Sequence, residues 1–253
     1  MIKCFRRRRK IATMENDLSR FHRDYPADPT EAFNASLTNV LIDAHIVQQC
    51  MKNGRDFKYE AMGKIILGVD VAREGDDDTC FVLRQGRVVL WYKRLSKLTT
   101  TEVAGEVMRT IKEDNVEHVC IDSTGGYGAG VYDVLVSFGY GQRVTGVNFA
   151  HRAIDDKRYK NRRAEMYYAL KQWLTDGASI PDREELLIEL CAITYKFDVT
   201  GERLMLERKD EIKKRIGKST DISDAAALTF CVNSTMMQGA SDSFDPFESF
   251  GAI

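Results

Sequence analysis

Two stretches of this chain are apolar almost throughout and end in a single aspartate. They are Lys64-Ile-Ile-Leu-Gly-Val-Asp70 and Val116-Glu-His-Val-Cys-Ile-Asp122. Strands this apolar fit only inside a sheet that is covered on both faces. A third signature, Thr220-Asp-Ile-Ser-Asp224-Ala-Ala-Ala-Leu228, opens an apolar helix with aspartates three residues apart. Two strand tips and one helix start can bring carboxylates to one edge of a sheet. Gathered carboxylates are what two-metal phosphodiester chemistry needs, and oxygen-only ligands select hard cations such as Mg2+ or Mn2+. Asp70, Asp122 and Asp224 are the candidate ligands, with two ions expected. Carboxylates this close repel one another, so without metal at least one should have a raised pKa.

Asp221 lies one helical turn from Asp224 and can face the sheet with it. It reads either as a fourth ligand or water-positioning group, or as an aspartate offsetting the helix dipole. The plain alternative for Asp70 is a solvated strand end. His118 and His151 are further ligand candidates, set against the commoner structural role of a lone histidine.

The rest of the sequence gives an ordered series of elements. A short helix is expected near 38–52 and a buried strand over 64–71. After an acidic turn over 73–78, strands over 79–84 and 87–95 meet at Gln85-Gly86, a hairpin signal. Val103, Val107 and Ile111 lie four apart and predict a helix over 99–114. A strand over 116–122, a helix over 129–138 and a strand over 143–149 follow. Gly68 is expected to leave open space beside Asp70. Helices over 162–175 and 183–192, a hairpin of 193–198 with 203–208, and a helix over 221–234 complete the series. This order gives an α/β fold: a ribonuclease H-like mixed sheet flanked by helices, with an extra β-hairpin. Residues 1–60 read as an arm or linker, 61–238 as the compact domain and 239–253 as a mobile tail.

Composition narrows the setting. No apolar run reaches the length of a membrane span, and the basic N-terminus lacks the apolar stretch of a signal peptide. No membrane partner is expected. The six cysteines form no CxxC pair and read as reduced core residues of a cytosolic protein, not as a zinc or disulfide framework. The net charge of -1 does not itself suggest nucleic acid. Its distribution does: Arg158, Arg162 and Arg163 lie in one basic cluster, and Lys209, Lys213, Lys214 and Arg215 lie in another. Solvated faces would look the same, but beside an acidic site these clusters are candidate DNA contacts.

In this order and spacing the motifs resemble the nuclease domain of large terminase subunits of tailed phages. The resemblance covers roughly residues 20–235. It rests on Phe21-His-Arg-Asp-Tyr-Pro-Ala-Asp-Pro-Thr-Glu-Ala-Phe33, Gly68-Val-Asp-Val-Ala72, Ile121-Asp122-Ser-Thr-Gly-Gly126 and Asn161-Arg-Arg-Ala-Glu165. To these it adds Glu207-Arg-Lys-Asp-Glu-Ile-Lys-Lys-Arg215 with Gly217, and Asp221-Ile-Ser-Asp224-Ala. The family's Ser-Pro-Asp stands here as Ser219-Thr220-Asp221, which loses the proline and keeps the aspartate. The resemblance implies a metal-dependent endonuclease that cuts concatemeric phage DNA during packaging, with Asp70, Asp122 and Asp224 as its metal-binding carboxylates. It also implies double-stranded DNA, a terminase ATPase domain, a small terminase subunit and a portal as partners, in the host cell cytoplasm.

Two motifs are decoys. Gly126-Tyr-Gly128-Ala-Gly130 looks like a dinucleotide fingerprint, but the next strand carries no acidic ribose partner. Gly217-Lys218-Ser219 looks like the end of a P-loop, but its first glycine would fall at Ile212. With no Walker A motif, the chain reads as a nuclease portion without a motor, either excised or separately encoded. The alternatives are a junction resolvase of the RuvC type and a non-catalytic DNA-clamping or docking module.

Overall fold

The computed structural model describes residues 39–72 and 78–232. The motif at 21–33, most of the acidic turn over 73–78 and the tail over 239–253 lie outside the described residues. So do most of the arm over 1–60 and the end of the last predicted helix.

Five strands form one sheet: β1 (Ile65–Asp70), β2 (Asp78–Gln85), β3 (Val88–Ser96), β4 (His118–Asp122) and β5 (Val144–Val147). Their order is β3-β2-β1-β4-β5. β1 to β3 run antiparallel, and β4 and β5 run parallel to β1. This is the mixed sheet expected from the element order, with the most apolar strand at its centre. Val69 pairs with Ile121, so Asp70 and Asp122 stand at neighbouring strand ends.

Helices cover both faces. On one lie α2 (Thr100–Glu113) and α3 (Tyr127–Ser137), packed with Leu67, Val69, Phe81, Leu83, Val119 and Ile121. A capping box between Thr99 and Glu102 starts α2, and its stripe of Val103, Val107 and Ile111 is buried as expected. The other face carries α1 (Ala44–Arg55), α4 (Arg162–Thr175), α5 (Glu184–Cys191) and α7 (Asp221–Leu228). A hairpin of β6 (Tyr195–Phe197) and β7 (Leu204–Leu206) precedes α6 (Lys209–Ile216).

α7 is the helix closest to the sheet, and Gly68 is the reason. A Cβ at Gly68 would lie 1.9 Å from the Ala225 carbonyl oxygen. The expected open space beside Asp70 is therefore filled by the backbone of α7. Arg84, itself buried, ties down the other end of that helix. It donates to the Thr229 carbonyl at 2.8 Å and to the Thr229 hydroxyl at 2.9 Å. Gly68→Ala should therefore destabilise the fold by about 1–3 kcal/mol or more, the range for overpacked cores. Gly105→Ala is the control, because its Cβ would meet nothing within 4 Å and a helical Gly→Ala exchange is favourable. Urea unfolding of the two variants should move in opposite directions; equal shifts would contradict this packing.

The cysteine expectation needs correction. Cys120 and Cys231 are joined, with sulfurs 2.11 Å apart, so β4 is linked to the chain just past α7. Strand alternation puts Cys120 on the face that α7 covers, which an apolar run does not reveal. Cys50, Cys80 and Cys191 are free and buried. His118 lies within 4.8 Å of both joined sulfurs, but bonded sulfurs offer no thiolate to a metal. No helix among the described residues is long and apolar enough to cross a membrane.

Candidate active site

The three acidic signatures converge. Asp70 ends β1, Asp122 ends β4, and Asp221 and Asp224 share the first turn of α7. Their common centre is the ammonium of Lys209, at the start of α6. Its Nζ lies 2.8 Å from Asp70 Oδ2, 3.0 Å from Asp221 Oδ1 and 2.9 Å from Asp224 Oδ2. Asp122 stands at the more open side and accepts the Thr124 amide at 2.8 Å, which fixes the turn after β4. A Cβ at Gly128 would lie 1.7 Å from the Asp122 carbonyl oxygen. The glycines after β4 thus let α3 start against the acidic strand end.

Asp224 is fully buried and fully occupied. Oδ1 accepts from Arg163 Nε at 3.1 Å and from the Tyr167 hydroxyl at 2.7 Å, and Oδ2 accepts from the Thr220 hydroxyl at 3.1 Å. Although burial acts against it, the charges of Arg163 and Lys209 hold its carboxyl well below the usual carboxylate range. Asp70 goes the other way. Burial pushes it up to about 7, against the pull of Lys209, and the charges of Asp224, Asp122 and Asp221 add to the rise. Asp122 is also raised, mainly by burial. Asp221 takes a hydrogen bond from the Ser219 hydroxyl and lies 3.9 Å from Arg94 as well as beside Lys209.

A carboxyl with a raised pKa in the folded state binds a proton that the unfolded chain has released. Asp70 is therefore a stability cost that grows as pH rises from about 4 to about 7. Asp224 contributes the opposite slope, but only at lower pH. Between about pH 5 and 8 the metal-free melting temperature should fall less steeply in Asp70→Asn than in the wild type. An identical slope would show that Asp70 does not titrate there.

The site fits a hard divalent cation. Its donors are carboxylate oxygens, and three of them already surround one positive charge. The histidines do not belong to it. His118 begins β4, about 13 Å along the strand from Asp122 at 3.3 Å per residue, and shares a hydrogen bond with the Thr145 hydroxyl. His151 is exposed, and its backbone carbonyl accepts the Arg162 amide.

The basic clusters divide into two kinds of residue. Arg163 is buried, and besides Asp224 it donates to the Glu207 carbonyl at 3.0 Å. Arg162 is tied to Glu165 and to the Cys231 carbonyl. Arg215 is held by Glu207 and donates to the Ala192 carbonyl at 2.6 Å. Arg163, being buried, does not hold the DNA-facing position expected of it, while Arg162, Arg215 and Lys209 keep partly exposed side chains beside their protein partners. Lys213 and Lys214 are exposed, and Arg158 is partly exposed beside Asp155. The hairpin is tied to the first cluster: the Leu204 amide donates to the Arg158 carbonyl at 2.8 Å, and the Leu204 carbonyl accepts the Lys160 amide at 2.9 Å.

Arg163, Tyr167 and Thr220 as partners of Asp224, and Lys209 as the cation of the cluster, are not evident from the local sequence. One signal was present. Arg163, Tyr167, Leu170 and Leu174 follow helical spacing and are all buried on α4, so Arg163 lies on the apolar stripe.

Solved structures with this fold exist. The nuclease domain of the large terminase subunit gp2 of bacterial virus Sf6 superposes with a TM-score of 0.65 at 22% identity. The match covers 76% of this chain and 97% of that one. A mutant of the same domain, containing manganese and beta-thujaplicinol, gives 0.66 at 22% identity over 75% and 97%. The large terminase nuclease of thermophilic phage G20c with bound magnesium gives 0.51 at 15% identity over 69% and 84%. At these identities the likeness establishes a shared fold, the ribonuclease H-like arrangement expected from the element order. No protein-family model and no curated protein sequence matches the chain.

Proposed function

We propose that this chain is the nuclease domain of a phage large terminase subunit. In this reading it is a Mg2+- or Mn2+-dependent endodeoxyribonuclease that cuts concatemeric DNA during genome packaging. The observation that carries the proposal is the convergence of Asp70, Asp221 and Asp224 within 3.0 Å of one ammonium, with Asp122 on the adjacent strand end. The shared fold and the metals in the Sf6 and G20c structures support it. Double-stranded DNA is the proposed substrate. By resemblance, an ATPase domain, a small terminase subunit and a portal are the proposed partners, and the host cytoplasm is the setting.

Asp70, Asp122 and Asp224 would hold two ions, with Asp221 beside them. Bound there, divalent cations supply an activated water and charge stabilisation for the leaving 3′ oxygen. The remaining work belongs to the chain. Arg163, Tyr167 and Thr220 keep Asp224 ionised and aimed. Asp70 gives up its proton as a ligand, so metal binding should strengthen as pH rises through about 7. Lys209 balances the acidic cluster when no metal is bound. Arg158, Lys213 and Lys214 attract phosphates without reading bases.

The test offers supercoiled plasmid, linear duplex and a four-way junction to the purified chain with Mn2+. Cutting of plasmid and duplex with little sequence preference, abolished by chelator, is expected. Cleavage confined to the junction would point to a resolvase, and binding without cleavage to a clamping module. Charge reversal of Arg158, Lys213 and Lys214 together should flatten the salt dependence of DNA binding. An unchanged slope would place DNA elsewhere.

A further inference from the structure

Thr220 precedes α7, yet its side chain caps no backbone amide of that helix. Helix starts leave N–H groups without partners, and buried ones are costly. Here a carboxylate from another helix takes them. Glu189 on α5 is fully buried, and its Oε2 accepts the Ile222 amide at 2.9 Å and the Ser223 amide at 3.1 Å. Its other oxygen pairs with Arg94, and Lys218 lies 4.0 Å away. Arg94 also faces Asp221 at 3.9 Å, Asp78 at 3.9 Å and Glu185 at 3.6 Å.

We infer that Glu189 is a positioning residue for the acidic cluster. By capping α7 from outside, it fixes the first turn of that helix and so the spacing of Asp221 and Asp224. The inference rests on the proposed reading of the cluster as a metal site. The middle of α7 is held separately, by its contact with β1 at Gly68 and by Arg84 at its end. Loss of Glu189 should therefore loosen the first turn before the rest of the helix. The two amides bond Oε2, an oxygen that Arg94 does not touch. A glutamine can offer the same acceptor without the charge.

The experiment compares the wild-type chain with Glu189→Ala, Glu189→Gln and Glu185→Ala. Amide exchange at Ile222 and Ser223 is read without metal, and Mn2+ affinity is read by calorimetry. Glu189→Ala should speed exchange at both amides about tenfold or more. It should weaken Mn2+ binding by about 10–100-fold, the usual effect of removing a group that orients metal ligands. Glu189→Gln should fall between Glu189→Ala and the wild type, and Glu185→Ala should stay within about twofold of the wild type. If Glu189→Ala does not fold, Glu189→Asp takes its place, because its carboxylate is one methylene short of the amides. Unchanged exchange in the shortened variant, or glutamine as damaging as alanine, overturns the inference. A wild-type chain that binds no Mn2+ contradicts the metal reading instead, and amide exchange still decides the role of Glu189.

Discussion

Asp70→Asn, Asp122→Asn and Asp224→Asn should each lower Mn2+-dependent plasmid cleavage by roughly 100-fold or more. Each removes an anionic ligand from the place where leaving-group charge must be stabilised. Asp221→Asn should be milder, since Asp221 is also held by Ser219 and faces Arg94. The variants should differ sharply in stability. Asp70 is ionised against its surroundings, with its carboxyl raised to about 7. At pH 8 Asp70→Asn should therefore melt at or above the wild-type temperature. Asp224→Asn should be destabilised, because it leaves Arg163 buried without its anion. Near-normal cleavage by any of the three would remove that residue from the site. Equal melting temperatures for Asp70→Asn and Asp224→Asn would contradict the charge arrangement described here.

Arg163→Met should cost about 3–5 kcal/mol, the range for breaking a buried ion pair from one side. Arg163 is buried beneath the cluster, so its loss strands Asp224 in the interior with only Lys209, Tyr167 and Thr220 as partners. The salt dependence of DNA binding should not change. A surface contact would behave in the opposite way, with little loss of stability and a shallower salt slope. The double variant Arg163→Met with Asp224→Asn should be less destabilised than the sum of the two, because the second change removes the stranded charge. Additive effects, or a flattened salt slope in Arg163→Met alone, would return Arg163 to the DNA-facing surface.

Most of the sheet was legible because its signals are local. The apolar runs ending at Asp70 and Asp122, the turn at Gln85-Gly86 and the stripe of α2 each report their own element. The acidic cluster was legible because strand tips and a helix start are places that sequence can mark. What stayed hidden depends on the faces of elements distant in sequence. Arg163 and Lys213 look alike in basic runs, but one is on the buried stripe of α4 and the other on the exposed side of α6. Glu189 reaches the first turn of α7 from 33 positions away. Gly68 looked like open space, because only the packed α7 shows what fills it. Cys120 and Cys231 are 111 residues apart and meet only when α7 lies on β4.

Where divalent metal binds decides whether the carboxylates of Asp70, Asp122 and Asp224 form a metal site. Crystals of the chain soaked in Mn2+ should show anomalous scattering among the carboxylates of Asp70, Asp122 and Asp224, with the Lys209 ammonium withdrawn from them. Manganese bound only elsewhere, with Lys209 still paired to all three of its present carboxylates, would contradict the account.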